Sequence, residues 1–585
     1  MENCRTGVYI CMCGTNIAKV IDVEAVREFV SGLPDVMLVR TYKYMCSNPG
    51  QEMIVQDIRE NNLNRIVVAA CSPCMHERTF RSALRKAGIN QYLFEMANIR
   101  EQCSWVHHDQ QDATEKAMAL TQAAIRRVAL HEPLENLSVD MSPATLVIGG
   151  GIAGMTAALE LAEAGYPVYL VEKTGRLGGN LARVDLTAPY LYSAQDLINE
   201  RIFRINDNNH IYLHLNSKVT ELSGFVGNYT ATIETIPVEN GHKKEEVKVG
   251  NVIVCTGYKE FDASRITHYG YGKLPNVVTS FELETMIRSG KIETREGRIP
   301  RYIAIIHCVG SRSLEFHGYC SRVCCMTALK YAHEVKSAIP SCYVSDIYVD
   351  MHAFGKGHED FYRRSSEAKT LFLMYNKNDR PVIRRADEKD DCQMLIEVNE
   401  CLSGETIEIP ADLIVLMVGM EAREDASEVA HLVNISQDKE GWFIESHPKL
   451  EPVATTTDGI FIAGTCVAPK DIPDTVAQAR ATAARILAKV SQGKIEVDAL
   501  YSEINKEICS GCRLCNKLCP FSAIEFNEKE AYSEVISALC KACGVCVAAC
   551  PSSAIKGRHF TDAQVMAQLD GLLSPVKYQI EAVTS

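Results

Sequence analysis

The sequence predicts a multidomain α/β protein that ends in a small cysteine-rich domain. Three observations support this prediction. Residues 145–173 have the pattern of a strand, a glycine-rich turn, a helix and a second strand. Residues 1–140 alternate strand-like and helix-like segments, as parallel sheets covered by helices do. Residues 498–556 contain one cysteine spacing twice. A chain of 585 residues is long enough for three or four domains.

The composition excludes several classes of partner and location. Hydrophobic residues make up 46% of the chain and charged residues 23%, which is ordinary for a globular protein. The formal net charge of -13 and the lack of a basic block argue against a nucleic acid partner. No segment is long and apolar enough to span a bilayer, and the N-terminal MENCRTG lacks a signal-peptide core. We therefore expect a cytoplasmic protein without a membrane span.

Cysteine is the unusual component, since the chain contains 24 of them. In a small secreted protein such a content indicates disulfides, but clustered cysteines in a large intracellular chain indicate metal binding. Thiolates are soft ligands, so zinc and iron–sulfur clusters are the two candidates. In each part of the chain, the spacing of the cysteines distinguishes a zinc site from an iron–sulfur cluster.

The glycine-rich turn follows an apolar run, Thr145–Ile148, and reads GGGIAG, which fits G-x-G-x-x-G. Gly149 permits a tight turn, Gly151 lets a pyrophosphate approach the backbone, and Gly154 lets helix and strand pack closely. Glu172 ends the second strand 23 positions after the first glycine, where it can accept a hydrogen bond from a ribose hydroxyl. The pattern predicts a dinucleotide site at a helix N-terminus. The alternative is a glycine-rich turn in another kind of α/β domain.

Later segments indicate FAD as the dinucleotide. Residues 175–180, GRLGGN, are similar to a segment of flavoproteins related to thioredoxin reductase. Asn251–Gly257 and Gly459–Gly464 resemble the strand-to-glycine segments that close around FAD in that superfamily. A helix over about Asp474–Val490 would direct its N-terminus at the isoalloxazine and stabilise an anionic reduced flavin. The acid that usually follows the last glycine is replaced by Thr465. The residues expected to contact FAD are Gly149, Gly151, Ile152, Ala153, Gly154, Glu172, Lys173, Gly178, Gly179, Val219, Thr256, Gly257, Gly464, Thr465, Thr475 and Val476.

Cysteines also follow each predicted strand of the N-terminal domain. We expect these strands at Val8–Ile10, Val36–Tyr42, Arg65–Ala70 and Tyr92–Ile99. Each is followed by a predicted helix, at Val23–Val30, Glu52–Glu60, Thr79–Ala87 and Thr114–Leu130. The cysteines lie past the carboxyl ends of the strands, which is the edge where open α/β sheets bind ligands. The alternative is that they are small buried apolar residues. We expect one cluster here, held by Cys11, Cys13, Cys46 and Cys71, with Cys103 as the substitute ligand.

Residues 301–330 lack a feature that relatives of thioredoxin reductase have. There, a second glycine fingerprint follows a strand and binds the nicotinamide nucleotide. Here a strand at Tyr302–His307 leads instead to four thiols within eighteen positions. Two adjacent cysteines are not an ordinary redox CxxC pair, so we expect all four thiols to ligate a [4Fe–4S] cluster. They are Cys308, Cys320, Cys324 and Cys325.

Lys330 is the candidate catalytic residue. It lies five positions after Cys325, in the helix predicted to follow the adjacent cysteines. From there we expect it to reach the N5 side of the flavin as a charge or proton donor. The alternative is a lysine on the surface of the helix.

The two cysteine runs near the C-terminus have the spacing C-x2-C-x2-C-x3-C-P. Thiolates at this spacing wrap a cubane, and the fourth cysteine of each run ligates the other cluster. Zinc does not require a duplicated run. One cluster is therefore expected to take Cys509, Cys512, Cys515 and Cys550, and the other Cys540, Cys543, Cys546 and Cys519.

Together these features resemble the A subunit of heterodisulfide reductase, which contains flavin and iron–sulfur clusters and occurs in methanogens and in related bacterial and archaeal complexes. Longer members of this family carry a further ferredoxin module inserted in the flavin region. Only Cys255 lies between Asn180 and Cys308, so this chain resembles a short form without the module. The usual arginine of the VVAACSP segment is replaced by Cys74. Besides the cysteine runs and the glycine fingerprint, the resemblance rests on VYICMCG (Val8–Gly14), YKYMCSNPGQ (Tyr42–Gln51), VVAACSP (Val67–Pro73), FEMANIREQCSWVH (Phe94–His107) and AGTCVAPKDIPDTVAQA (Ala463–Ala479).

The resemblance implies flavin-based electron bifurcation. A hydrogenase or formate dehydrogenase module delivers electron pairs through clusters to FAD; one electron of each pair passes to a B/C-type partner and its disulfide, and the other to ferredoxin. The disulfide-cleaving site belongs to the B subunit in this family. We also expect a homodimer within a larger complex. Two alternatives are an NAD(P)H-dependent FAD reductase of thioredoxin reductase type, which the missing second fingerprint argues against, and a non-bifurcating electron-transfer scaffold.

The expected domains follow from these assignments. An N-terminal α/β domain with one cluster spans residues 1–140, and an FAD-binding domain takes residues 141–300 and 441–495. A degenerate nicotinamide-like domain with a [4Fe–4S] cluster is inserted at residues 301–440. The two-cluster ferredoxin domain spans residues 498–556, and residues 557–585 form a helical tail. In total we expect FAD and four [4Fe–4S] clusters.

Overall fold

The structure is a computed structural model that describes residues 4–236, 243–387 and 389–576. It divides into two compact units. One unit contains residues 1–138 and 496–585, so the N-terminal α/β domain and the cysteine-rich C-terminal region belong together. The other unit contains residues 139–495. No helix in the described ranges combines the length and the apolar character that crossing a bilayer requires.

The N-terminal domain is a four-stranded parallel sheet in the order β2-β1-β3-β4. The apolar strand β1 is buried along its whole length because helices cover both faces of such a sheet. The strand order reverses between β1 and β3, and ligands bind beyond the carboxyl ends of the strands at such a switch point. The elements are β1 (Thr6–Cys11), α1 (Val23–Ser31), β2 (Val36–Tyr42), α2 (Asn48–Glu60), β3 (Arg65–Ala70), α3 (Pro73–Ala87), β4 (Phe94–Asn98) and α4 (Gln110–Val128).

Two helices of this domain begin earlier than the periodicity of apolar residues predicts. We expected α2 from Glu52 and α3 from Thr79, but they begin at Asn48 and Pro73. A proline lies in the first turn of both helices, where its fixed φ suits a helix and its missing N–H is not needed. The Ser72 side chain also accepts a hydrogen bond from the Cys74 N–H. These polar starts carry no apolar periodicity and were therefore missed.

The flavin-domain sheet has five parallel strands in the order β10-β7-β6-β14-β25. Its switch point lies between β6 and β14, because the chain moves outward through β7 on one side and through β25 on the other. The glycine-rich turn follows β6 at this point. The elements are β5 (Leu137–Asp140), β6 (Thr145–Ile148), α5 (Ile152–Glu163), β7 (Val168–Val171), β8 (Leu186–Thr187), β9 (Tyr192–Ser193), α6 (Ala194–Asp207), β10 (Ile211–His214), β11 (Ser217–Phe225), β12 (Asn228–Thr235), β13 (Lys244–Val249), β14 (Asn251–Val254), β15 (Lys259–Glu260) and, later in the chain, β25 (Ile460–Ile462), α11 (Ile472–Val490) and β26 (Lys494–Val497).

The inserted domain has a second five-stranded parallel sheet, in the order β16-β23-β17-β18-β19. Its switch point lies between β17 and β23. We expected β17 to end at His307, but it continues to Val309, and Cys308 occupies a bulge with φ 59°. A bulge re-aims a side chain beside a site, and its position is not visible in sequence periodicity. The elements are β16 (Val277–Thr279), α7 (Ser280–Arg288), β17 (Tyr302–Val309), α8 (Cys324–Ala338), β18 (Tyr343–Tyr348), α9 (His358–Glu367), β19 (Leu371–Met374), β20 (Val382–Arg385), β21 (Met394–Asn399), β22 (Thr406–Ala411), β23 (Leu413–Val418), β24 (Met420–Glu421) and α10 (Ala426–Val433).

The C-terminal region consists of two antiparallel strand pairs, two short helices that each contain the third cysteine of a run and end before the fourth, and a final helix. The final helix α14 packs on α4, where a Cβ at Gly571 would lie 2.5 Å from the Ala123 Cα. Part of the expected tail, residues 577–585, lies outside the described residues. The elements are β27 (Ser502–Ile504), α12 (Leu514–Leu518), β28 (Ile524–Asn527), β29 (Tyr532–Val535), α13 (Val545–Ala549), β30 (Ile555–Gly557) and α14 (Asp562–Leu573).

Candidate functional site

The glycine turn after β6 forms an open cradle at the N-terminus of α5. Gly149 has φ 111°, and a Cβ there would lie 2.4 Å from the Cys255 carbonyl oxygen. A Cβ at Gly154 would lie 1.9 Å from the Gly149 carbonyl oxygen, so neither position accepts a side chain without movement. A Cβ at Gly151 would meet no atom of the described residues within 4 Å. This free space in front of helix N–H groups fits a diphosphate.

Two polar groups at the cradle fit the parts of a dinucleotide other than its diphosphate. Glu172 accepts hydrogen bonds from the Gly150 N–H at 2.7 Å and from the Thr174 N–H at 2.8 Å. A carboxylate has further acceptor sites, so one remains for a ribose hydroxyl. The Thr256 hydroxyl is buried without a hydrogen-bond partner among the described residues. Because buried hydroxyls are nearly always paired, an orphaned one next to Gly257 fits a bound ligand.

The remaining predicted contacts fall into three groups. Gly178 and Gly179, both with positive φ, lie beside the cradle, since the Gly178 N–H donates to the Gly150 carbonyl at 2.9 Å. The side chains of two other predicted residues have partners within the protein: the Lys173 ammonium lies 2.9 Å from Asp425, and Val219 packs in the core. The predicted residues at the starts of helices and beside β25 are Ile152 and Ala153 on α5, Gly464 and Thr465 after β25, and Thr475 and Val476 in the first turns of α11.

Sequence reasoning missed two side chains next to Gly464. The Gln478 side-chain amide oxygen accepts a hydrogen bond from the Gly464 N–H at 2.9 Å. The Lys470 ammonium donates to the Gly464 carbonyl and to Gln478, at 2.9 and 2.8 Å. Burial lowers the pKa of Lys470, while Cys466 raises it. A lysine directly before Asp471, the N-cap of α11, was the signal in the sequence.

The four thiols of the inserted domain meet at its switch point, between the end of β17 and the start of α8. Burial raises the pKa of Cys308 to about 12, with Cys325 adding to the effect. Burial and the three other thiols raise the pKa of Cys324 well above its ordinary value. The Cys320 sulfur accepts from the Arg322 N–H at 3.3 Å. Four thiols this close repel one another as thiolates, and a cationic cluster would offset that repulsion.

Side-chain contacts connect this thiol set to the glycine cradle. Arg322 lies between Cys320 and Cys324, and its guanidinium is 2.7 Å from the Asp474 carboxylate in the first turn of α11. On the other side, burial raises the pKa of Tyr258, and Cys324 is close enough to add to this rise. The Tyr258 carbonyl accepts a hydrogen bond from the Asn180 amide at 3.1 Å, next to Gly179.

Lys330 is buried in an ionic network. Its side chain is 2% exposed, so the alternative of a surface lysine is wrong. The ammonium lies 2.6 Å from Glu284 and 3.6 Å from Glu334. Burial raises the pKa of Glu334 to about 7, and Lys330 opposes this shift. The sequence could not reveal the network because Glu284 precedes Lys330 by 46 positions and lies on another helix.

The N-terminal thiols gather at the switch point of their sheet. Burial raises the pKa of Cys71 to about 12, and the nearby Cys11 and Cys46 add to this rise. Cys13 likewise raises the pKa values of Cys11 and Cys46, although burial is the larger cause. Cys103 lies apart: its thiol donates to the Ala113 carbonyl at 3.1 Å against α4, and burial raises its pKa without help from another thiol.

The C-terminal cysteines line two cavities. The first is lined by Cys509, Cys512 and Cys515 of the first run together with Cys550 of the second. The other is lined by Cys540, Cys543 and Cys546 together with Cys519. This is the crossed arrangement that a two-cluster ferredoxin requires.

The described parts of the chain contain no three His, Cys, Asp or Glu side chains arranged to hold a single metal ion. Each C-terminal cavity is lined by four cysteines from the two runs, which is the ligand set of a [4Fe–4S] cluster.

Known families match two parts of the chain. Residues 143–483 match the pyridine nucleotide-disulphide oxidoreductase family, and residues 502–551 match the 4Fe-4S dicluster domain. The second iron-sulfur A subunit of the CoB–CoM heterodisulfide reductase of Methanopyrus kandleri is 39% identical over 608 residues, covering 90% of this chain and 92% of that protein. The A subunit of the H(2):CoB-CoM heterodisulfide,ferredoxin reductase of Methanothermobacter marburgensis is 38% identical over 653 residues, covering 98% of both. The chain belongs to the family of heterodisulfide reductase A subunits.

Membership of this family confirms the predicted family and fold class. The chain is an oxidoreductase with FAD and [4Fe–4S] clusters. The alignment to the Methanothermobacter protein is longer than this 585-residue chain, so that relative has segments without a counterpart here. Among solved structures, the crystal structure of T. acidophilum thioredoxin reductase matches 60% of this chain and 99% of its own, at 15% identity and a TM-score of 0.40.

Proposed function

We propose that this chain is the electron-bifurcating component of a cytoplasmic heterodisulfide reductase-like complex. It receives electron pairs from a hydrogenase or formate dehydrogenase module. One electron of each pair goes to a disulfide-reducing B/C-type partner and the other to ferredoxin. The names of the relatives support these partners, since one belongs to an H(2):CoB-CoM heterodisulfide,ferredoxin reductase and another to an H(2)/formate:CoB-CoM heterodisulfide,ferredoxin reductase. A homodimer within that complex is part of the proposal.

The observation that carries the proposal is the thiol set at the switch point of the inserted domain. A pyridine nucleotide would need a glycine turn after β17, but the chain places Cys308 there, in a bulge, and three more thiols nearby. FAD exchanges electrons in pairs whereas clusters carry one at a time, so a flavin beside a cluster can divide a pair. The links from Arg322 to Asp474 and from Tyr258 to Asn180 support this proximity.

The protein's own groups suit a flavin that gains negative charge. The N-terminus of α11 and the Lys470 ammonium both place positive charge beside Gly464. Lys330 is a second buried cation. Its ammonium carries a proton for which the nearby Glu284 and Glu334 carboxylates compete. We propose Lys330 as the residue that supplies charge or a proton on the N5 side.

The proposed cofactor content is one FAD and four [4Fe–4S] clusters per chain. The cluster ligands are the three thiol groups described above, with the C-terminal cysteines divided between two clusters. Cubane stoichiometry gives about sixteen irons per chain. An anaerobic iron count nearer twelve, together with unchanged FAD, would remove the N-terminal cluster from the proposal.

The test of bifurcation is coupling between two reductions. The complex is purified anaerobically with its co-purifying partners and supplied with hydrogen or formate, ferredoxin and a heterodisulfide. We expect ferredoxin to be reduced only while the heterodisulfide is also present, in a one-to-one electron ratio. Ferredoxin reduction without heterodisulfide would refute bifurcation and favour the non-bifurcating scaffold.

A second experiment addresses the NAD(P)H-dependent alternative. The isolated chain is mixed anaerobically with NADH or NADPH, and the flavin absorbance is followed. We expect no bleaching, because no glycine fingerprint follows β17. Rapid stoichiometric bleaching by either nucleotide would favour a reductase of thioredoxin reductase type.

A further inference from the structure

Arg100 lies beside the N-terminal thiol set, although it is not a ligand. It opens a π-helical turn, Arg100–Ser104, directly after β4. One guanidinium nitrogen lies 3.7 Å from the Cys13 sulfur, within donor reach. The positive charge of Arg100 also lowers the pKa values of Cys71 and Cys46, against the larger effect of burial. Single π-turns inside proteins are frequent at functional sites.

The guanidinium is held in place by three further neighbours. Two of its nitrogens donate to one Glu101 carboxylate oxygen at 3.1 and 2.6 Å, and one lies 3.0 Å from the Met75 sulfur. The Trp105 ring covers it, with its centroid 4.8 Å from the guanidinium carbon. The Arg100 side chain is only 12% exposed, so water screens its charge weakly.

We propose that Arg100 is a positioning residue that raises the reduction potential of the N-terminal cluster. The inference rests on the N-terminal cluster of the proposed function. Reduction adds one electron to a cluster that four thiolates already make negative. A fixed cation that donates to a ligand sulfur stabilises the reduced form more than the oxidised form. The other Glu101 oxygen is buried without a hydrogen-bond partner in the described ranges, and its charge opposes the effect of Arg100.

The test is an anaerobic redox titration of the full chain with all cofactors, followed by electron paramagnetic resonance. The N-terminal signal is first assigned as the one that Cys71→Ser removes. Arg100→Met is expected to make reduction of this cluster at least tenfold less favourable, a fall of about 59 mV for one electron. Arg100→Lys should lower the potential less than Arg100→Met does, because lysine keeps the positive charge but lacks the planar set of N–H donors of the guanidinium. Arg59→Met is the control, since Arg59 is an arginine of α2 that donates to the Lys86 carbonyl.

A second variant predicts the opposite sign. Glu101→Gln removes the negative charge beside Arg100 and is expected to raise the potential of the same cluster. If Arg100→Met fails to assemble the cluster, this variant still decides the question. An unchanged or lowered potential in Glu101→Gln, or an unchanged potential in Arg100→Met, would overturn the role of Arg100. If the wild-type chain has no signal that Cys71→Ser removes, the N-terminal cluster itself fails and the other clusters of the proposed function remain.

Discussion

The buried pair of Lys330 and Glu284 allows a quantitative prediction. Replacing Lys330 by Met leaves the Glu284 carboxylate, which is 1% exposed, without the ammonium that now lies 2.6 Å away. Breaking a buried ion pair by removing one partner costs about 3 to 5 kcal/mol. For a large unit, about 2 °C in Tm corresponds to 1 kcal/mol. We therefore expect Lys330→Met to lower the anaerobic Tm by about 6 to 10 °C.

The double variant separates the charge effect from the loss of packing. Glu284→Gln keeps an acceptor for the Asp185 N–H but removes the charge, so Lys330→Met combined with Glu284→Gln should recover most of the lost Tm. The assay is thermal unfolding of the holoprotein, followed by flavin fluorescence and circular dichroism. Lys336→Met on the same helix is the control, because Lys336 is partly exposed and donates only to a backbone carbonyl. A loss below about 1 kcal/mol, within the range of an exposed pair, would refute the reasoning.

The same variants test the proposed role of Lys330 at the flavin. If its charge acts on the N5 side, Lys330→Met should lower the flavin potential while Lys336→Met leaves it unchanged. A flavin titration that matches the wild type in both variants would remove Lys330 from the candidate site and leave it a structural residue.

Three further predictions concern the cradle, the ferredoxin domain and pH. Gly154→Ala, whose Cβ would lie 1.9 Å from a carbonyl oxygen, should abolish stoichiometric FAD binding measured by absorbance; Gly32→Ala, which meets only an ordinary contact at 3.6 Å, should not. Cys519→Ser and Cys543→Ser should abolish the same cluster signal, and loss of different signals would refute the crossed arrangement. Burial lowers the pKa of His131 to about 3, so the unfolded chain binds the proton first as pH falls below 6.5. His131 should then cost about 1.4 kcal/mol of stability per pH unit below 6.5, and unfolding slopes equal in wild type and His131→Gln would contradict this.

Local sequence patterns located several strands and grouped the C-terminal cysteines. Apolar runs gave the bounds of β3 (Arg65–Ala70) and β6 (Thr145–Ile148) to the residue, because buried parallel strands are almost continuously apolar. The partly exposed strand β2 (Val36–Tyr42) also has the predicted bounds. The crossed grouping in the C-terminal cavities also follows from spacing, since both runs have the spacing in which the fourth cysteine ligates the other cluster.

Features that depend on distant parts of the chain were not accessible from sequence. The switch points arise from strand order, and each one places a glycine turn or a thiol set beyond the carboxyl ends of two adjacent strands. The bulge at Cys308 and the burial of Lys330 likewise depend on packing against β23 and on Glu284. Residues that are far apart in the sequence give no sign that they will be in contact, because the local pattern around each one is ordinary.

The most direct measurement is anomalous scattering at the iron edge from anaerobically grown crystals of the whole chain. The proposed function predicts an iron peak enclosed by Cys308, Cys320, Cys324 and Cys325, beside density for FAD at the glycine cradle. Free thiols or a disulfide at these four positions, with iron present in the ferredoxin cavities of the same crystal, would contradict it.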